Sequence, residues 1–169
     1  MAKPLHQFRK SLDKAQSFTD TTFKQWYPDI TLTDGRKGDY IDAAGRLCEL
    51  KLDFYPKNTG NIFLETHSRY PDKIGGPYQA KLAGCELYVY CFCLRQEVLT
   101  FNIDKLLEWC NNHLQEHRAV YIGNVGYSGK GHIVPITALQ TIIQTFDTFA
   151  PKPSAGLGNP QTELQKLRS

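Results

Sequence analysis

Residues 37–53 read KGDYIDAAGRLCELKLD, and the fold of the whole chain turns on this stretch. The segment DAAG (42–45) has the composition of a tight turn, and the apolar residues on either side predict a β-hairpin. The first arm centres on Tyr40 and Ile41; the second alternates Leu47, Glu49 and Lys51 against Cys48, Leu50 and Leu52. A strand repeats every two residues, so Glu49 and Lys51 point to one face. On a solvated strand that is ordinary. On an inner strand, charged side chains need a partner or a ligand.

Upstream, Phe8, Leu12, Ala15, Phe18, Phe23 and Trp26 recur at helical spacing, predicting a helix over 6–26 that Pro28 ends. A short strand at 29–33 precedes the turn-rich DGRKG. Downstream, YPKNTG (55–60) reads as a loop, NIFLE (61–65) as a strand and THSRYPDKIGG as a polar loop. A short helix at 77–83, the aromatic strand CELYVYCFCL and a strand at 97–101 follow. Asn102 is placed to cap a helix to His113 whose inner stripe is Ile103, Leu106, Leu107, Cys110 and Leu114. RAVYIG and HIVPI read as peripheral strands around a glycine-rich turn, NVGYSGKG. A last helix is expected at 137–149, burying Leu139, Ile142, Ile143, Phe146 and Phe149. Residues 1–150 then make one domain, and 151–169, without an apolar stripe, a disordered tail. The fold class is α/β, with a central mixed sheet flanked by helices.

The 169 residues suffice for one domain with a hydrophobic core, and 41% of them are apolar. No stretch is long and apolar enough to cross a membrane, and the first residues lack the apolar core of a signal peptide. The expected setting is cytoplasmic. A net charge of +3 permits a nucleic-acid partner without arguing for one. The five cysteines contain no CxxC pair and read as buried thiols rather than a zinc site or a disulfide framework.

Phosphodiester hydrolysis needs an activated water and stabilisation of negative charge, and hard oxygen ligands select Mg²⁺, or Mn²⁺ in its place. Asp39 and Glu49, one from each hairpin arm, can share such an ion, with the backbone carbonyl of Leu50 as a further ligand. Lys51, beside the attacking water, can orient it, assist its deprotonation or stabilise the transition state.

This arrangement resembles the PD-(D/E)xK nuclease superfamily: Asp39 is the first acid, and Glu49-Leu50-Lys51 supplies the second acid, the variable position and the lysine. The likeness extends to a phage- and bacterium-associated branch through CELKLD, TGNIFLE and CELYVYCF, across residues 38–94. It implies a restriction-endonuclease-like core and a Mg²⁺-dependent DNA endonuclease. Asp39, Glu49 and Lys51 would be catalytic, with Glu65 as a further acid. Gly38 stands where the name-giving proline would be; a literal Pro28-Asp29 occurs twenty residues before Glu49 and ranks second. The resemblance also admits an added acid from the opening helix, Asp13 or Asp20, and a helical glutamine, Gln79.

DNA contacts are expected from Arg36, Lys37, Lys57, Arg69, Lys73, Lys81 and Lys130, which suit phosphate binding without sequence readout. Tyr70 and Tyr78 are candidates for base stacking, and a homodimer would suit a double-strand cutter. Plainer readings stand beside these. Asp39 and Asp42 can be turn residues, Glu49 and Lys51 a solvated face, Asp53 an edge acid and His67 a surface histidine. An exonuclease, a junction resolvase or a non-catalytic nucleic-acid-binding module are the competing functions.

Overall fold

The hairpin predicted from residues 37–53 forms and becomes part of a larger mixed sheet. The computed structural model describes residues 5–124 and 127–149; the expected tail at 151–169 lies outside them. The chain opens with α1 (Leu5–Phe18), passes through a wider π-type turn (Thr19–Phe23) and ends the helical run with α2 (Lys24–Trp26). Then come β1 (Thr31–Leu32), β2 (Tyr40–Ile41), β3 (Leu47–Asp53), β4 (Asn61–Arg69), β5 (Lys73–Ile74) and α3 (Gly76–Leu82). They are followed by β6 (Leu87–Phe92), β7 (Glu97–Asn102), α4 (Ile103–His113), β8 (Arg118–Asn124), β9 (Tyr127–Pro135) and β10 (Ile143–Thr148).

Six strands form one sheet in the order β1-β2-β3-β6-β7-β10, and a second sheet runs β5-β4-β9-β8. Only the β3–β6 pair is parallel in the larger sheet. Parallel neighbours need a long crossover, and here it consists of β4, β5 and α3. The crossover carries Glu65 and brings the second sheet against the first.

Each face of the larger sheet has its own apolar cluster. Cys48, Leu87, Val89, Cys91 and Val98 pack with Phe23, Ile30 and Tyr40. On the other face, Tyr88, Tyr90, Phe92, Leu99 and Phe101 meet Ile62, Leu64 and Val134 of the second sheet and Ile103, Leu106 and Cys110 of α4. Fully buried Phe23 touches the rings of Tyr27 and Tyr40, with centroids at 4.9 and 5.5 Å. Truncating such a phenylalanine to alanine costs about 3–5 kcal/mol. Asn102 caps α4 as expected, accepting the N–H groups of Asp104 and Lys105 at 3.1 Å. All five cysteines are free and buried.

Several elements differ from the sequence reading. The expected last helix is instead a 3₁₀ turn (Ile136–Leu139) and β10, paired with β7 at the sheet edge. The apolar residues there fit a helical stripe, but IIQTFDT is rich in β-branched and aromatic types, and β7 offers an open edge. Of the expected buried residues, Leu139 is buried while Phe146 is 60% exposed. Strand β4 continues through Arg69 where a loop was expected after residue 65. The described part of the glycine-rich segment 124–131 lies in β8 and β9 rather than in a wide turn. Leu12, assigned to the inner stripe, is half exposed beside a groove.

Candidate active site

Alternation along β3 divides the strand's chemistry between the two faces of the sheet. Leu50 and Leu52 pack against the cluster around Phe23. Glu49 lies opposite Tyr88 and Lys51 opposite Tyr90 across the parallel pair. Asp39 stands just before β2, its N–H donating to the Cys48 carbonyl at 2.8 Å. This places Asp39 next to Glu49, and one Asp39 carboxylate oxygen, Oδ2, accepts the Leu50 N–H at 2.7 Å.

These residues line a groove of about 800 Å³ between α1, the 32–39 segment, β3 and the start of α3; Asp39, Glu49, Leu50, Lys51 and Glu65 all border it. The four side chains expected to be catalytic are therefore brought to one cavity. Glu65 reaches it from β4, held by a backbone cradle: the Gly76 N–H donates to Oε2 at 3.1 Å. A Cβ at Gly75 would stand 2.6 Å from that oxygen, and one at Gly76, where φ is +53°, would stand 2.2 Å from the Glu65 carbonyl oxygen. The GGP sequence at 75–77 thus makes room for Glu65.

The electrostatics mark the groove. Burial pushes the Glu49 carboxyl up to about 7; neighbouring Asp39 and Glu65 push the same way, and Lys51 opposes them. Burial also raises Asp39, with the Leu50 N–H pulling back. Among the described residues neither acid forms a salt bridge. Beneath them, Tyr88 is 1% exposed, borders the groove, and its hydroxyl has no hydrogen-bond partner.

The donors suit an open cation site. Among the described residues no cluster of three or more His, Cys, Asp and Glu side chains could close around an ion. Mg²⁺ keeps several waters and binds through one or two carboxylates together with substrate phosphates. Asp39 and Glu49, both hard oxygen donors in need of positive charge, fit that requirement.

Other expectations separate cleanly. At position 38 φ is +119°, a conformation closed to proline's ring, and a Cβ would stand 2.9 Å from the Cys85 sulfur. Glycine at this position is a steric requirement. Asp29, from the second-ranked Pro-Asp pair, borders a different cavity with Tyr27, Arg46 and Thr145. Asp13 lines the groove, whereas Asp20 accepts from Gln16 at 2.8 Å outside it. Asp53 accepts the Tyr90 hydroxyl and the Tyr55 N–H, both at 2.8 Å, and so closes a strand end. Among the cations, Arg36 is close to Asp34 at 3.3 Å, and Lys81 pairs with Asp104 on α4 at 2.6 Å. Lys57, Arg69 and Lys73 are exposed, Gln79 does not border the groove, and Tyr78 packs against the core.

Asp34 and Tyr88 also line the groove without having been singled out in the sequence. Asp34 looks like turn chemistry in DGRKG, and Tyr88 is one aromatic among many; only the β3–β6 register puts it under Glu49. No protein-family model matches the chain, and no curated protein matches it. Among the described residues, no helix is long and apolar enough to cross a membrane.

Proposed function

We propose that the groove is the active site of a Mg²⁺-dependent DNA endonuclease on a restriction-endonuclease-like core, of the PD-(D/E)xK type. The observation that carries the reading is the meeting of Asp39, Glu49 and Lys51 in one groove, where among the described residues the two half-buried acids form no salt bridge. Strongly perturbed carboxyls in a cleft mark functional sites.

A divalent cation bound there would supply positive charge to the phosphate and make water a better nucleophile. Asp39 would offer the oxygen that Leu50 leaves free, and Glu49 would release its proton on binding. The Leu50 carbonyl is the third ligand in this reading. Lys51 extends from the same face two residues on and borders the groove, where it would orient the water, assist its deprotonation or stabilise the transition state. The water oxygen bonds to phosphorus and gives up a proton to solvent, the P–O bond to the leaving strand breaks, and that oxygen takes up a proton from solvent. Glu65, held by the Gly76 N–H, borders the same groove as a further acid. Arg36, Lys37, Lys57, Arg69, Lys73, Lys81 and Lys130 are the proposed phosphate contacts.

The deciding experiment is cleavage of linear, circular, single-stranded and branched DNA with Mg²⁺, with Mn²⁺ and with EDTA. Either cation should support cleavage and EDTA should abolish it. Absence of cleavage on every substrate would overturn the reading. The rival outcome is a module that binds nucleic acid without cutting it; DNA binding without cleavage would be its signature.

A further inference from the structure

The second sheet carries a group of side chains of which the proposed function uses only Lys130, as a phosphate contact. Tyr121 of β8 lies opposite Lys130 of β9, which in turn lies opposite His67 of β4. Cross-strand partners share a face, so three adjacent strands contribute to one surface. Further in, the same face is core, with Leu64 and Val134 buried. Here it is open: Tyr70 is 41% and Tyr121 57% exposed. The Tyr70 N–H donates to the Ser128 carbonyl at 2.7 Å. The Tyr70 ring stands edge-to-face on Tyr121, with centroids 5.6 Å apart, and on His67 at 5.0 Å. The Lys130 ammonium lies 4.8 Å from the centre of the Tyr70 ring and 5.7 Å from that of Tyr121.

We infer that Tyr70, Tyr121 and Lys130 form a stacking platform for an unpaired nucleotide, making the substrate a DNA with a single-stranded end, flap or branch. The inference rests on the nuclease reading for its link to cleavage, but not for binding itself. Bases in a continuous duplex have both faces stacked, so an exposed tyrosine ring gains contact only with a base that has left the stack. Lys130 adds the charge that suits the adjoining phosphate; among the described residues no carboxylate forms a salt bridge with it. Lys73 on β5 adds positive charge at the same end of the sheet, while its β4 partner Arg69 lies 4.0 Å from the Asp72 carboxylate. A bulge between Glu65 and His67 sets Glu65 opposite Gly131 and His67 opposite the adjacent Lys130, so the platform and the Glu65 side chain lie on opposite faces of the second sheet.

The test is fluorescence anisotropy of the full chain in EDTA, with a labelled single-stranded 12-mer and the blunt duplex of the same sequence. Single-stranded DNA should bind more tightly than duplex. Tyr121→Ala and Tyr70→Ala should each weaken single-strand binding by roughly 5- to 100-fold and leave duplex binding unchanged. Tyr121→Phe should retain binding, and Lys130→Ala should weaken both and lower their salt dependence. A circular-dichroism melt shows whether each variant folds. The platform is overturned if folded Tyr121→Ala and Tyr70→Ala bind the single strand like wild type, or lose both substrates equally. Tyrosine-dependent binding without any cleavage would sink the nuclease reading alone; Glu49-dependent cleavage with unaltered tyrosine variants would sink the platform alone.

Discussion

Asp39 and Asp42 flank the same two-residue strand, and their carboxylates meet opposite fates. Asp42 closes the hairpin turn: it accepts the N–H groups of Ala44 and Arg46 at 3.0 and 2.9 Å, and the Arg46 guanidinium at 2.7 and 2.8 Å. Slight burial raises its pKa, but the Arg46 donors outweigh that and hold it below the usual carboxylate range. Asp39 has one backbone N–H and, beside it, another acid. The protein completes the charge of one acid and leaves the other wanting. In the proposed reading, that contrast separates a structural carboxylate from a functional one without reference to relatives.

The largest expected effect tests the functional half. Glu49→Ala and Lys51→Ala should each slow Mg²⁺-supported cleavage by about 2–4 orders of magnitude, or about 3–5 kcal/mol of barrier, while a melt shows the fold intact. A wild-type rate in either variant would remove the groove from the chemistry. Next comes proton release. Because Glu49 titrates near 7, the cation must displace its proton at lower pH. Mn²⁺ affinity measured by calorimetry should therefore fall about tenfold per pH unit between pH 6.5 and 5.5, and less steeply above 7.5. A flat profile would mean that Glu49 holds no cation.

The contrast was only partly visible in the sequence. Glu49 and Lys51 could be placed on one face because strand alternation is local and the pattern LCELKLD carries it alone. Asn102 as a cap was equally local. What failed depended on partners distant in the chain. Residues 139–149 have helical apolar spacing, yet the β7 edge captured them. Gly129 and Gly131 suggested a turn, but Gly131 is a strand residue: a Cβ there would stand 2.4 Å from the Phe63 ring. Tyr88 came under Glu49 only through the β3–β6 register, and the Gly75–Gly76 pair acquired a purpose only when β4 delivered Glu65 to it.

A smaller effect appears in the stability of the metal-free protein. The Glu49 carboxyl titrates near 7 when folded and near 4.5 as a free side chain, so between those values the folded state binds more protons. The Glu49 contribution to stability then falls as pH rises from about 4.5 to 7, and levels off above. Glu49→Gln removes that dependence and should be more stable than wild type at pH 8 by about 2 kcal/mol, allowing for screening at the groove. Urea unfolding at pH 5 and pH 8 would measure it. A variant less stable than wild type at pH 8 would mean that Lys51 satisfies Glu49 within the fold, and the acid would need no ligand.

The smallest effect tests the structural half. Asp42→Asn keeps a side-chain oxygen for the turn N–H groups but gives up the charge facing Arg46. The pair is partly open to water, which weakens its attraction, and Asn is itself a good turn residue, so the loss should be about 1 kcal/mol. The sign with pH is opposite to that of Glu49. A carboxyl held below its unfolded value adds stability above the unfolded pKa, and loses it as pH falls through the lower folded value. The difference between wild type and Asp42→Asn should thus be present at pH 7 and shrink in acid, while cleavage stays at the wild-type rate. A large loss of cleavage in a folded Asp42→Asn protein would erase the distinction between the two acids, because the turn would then be setting Asp39's position as tightly as the groove does.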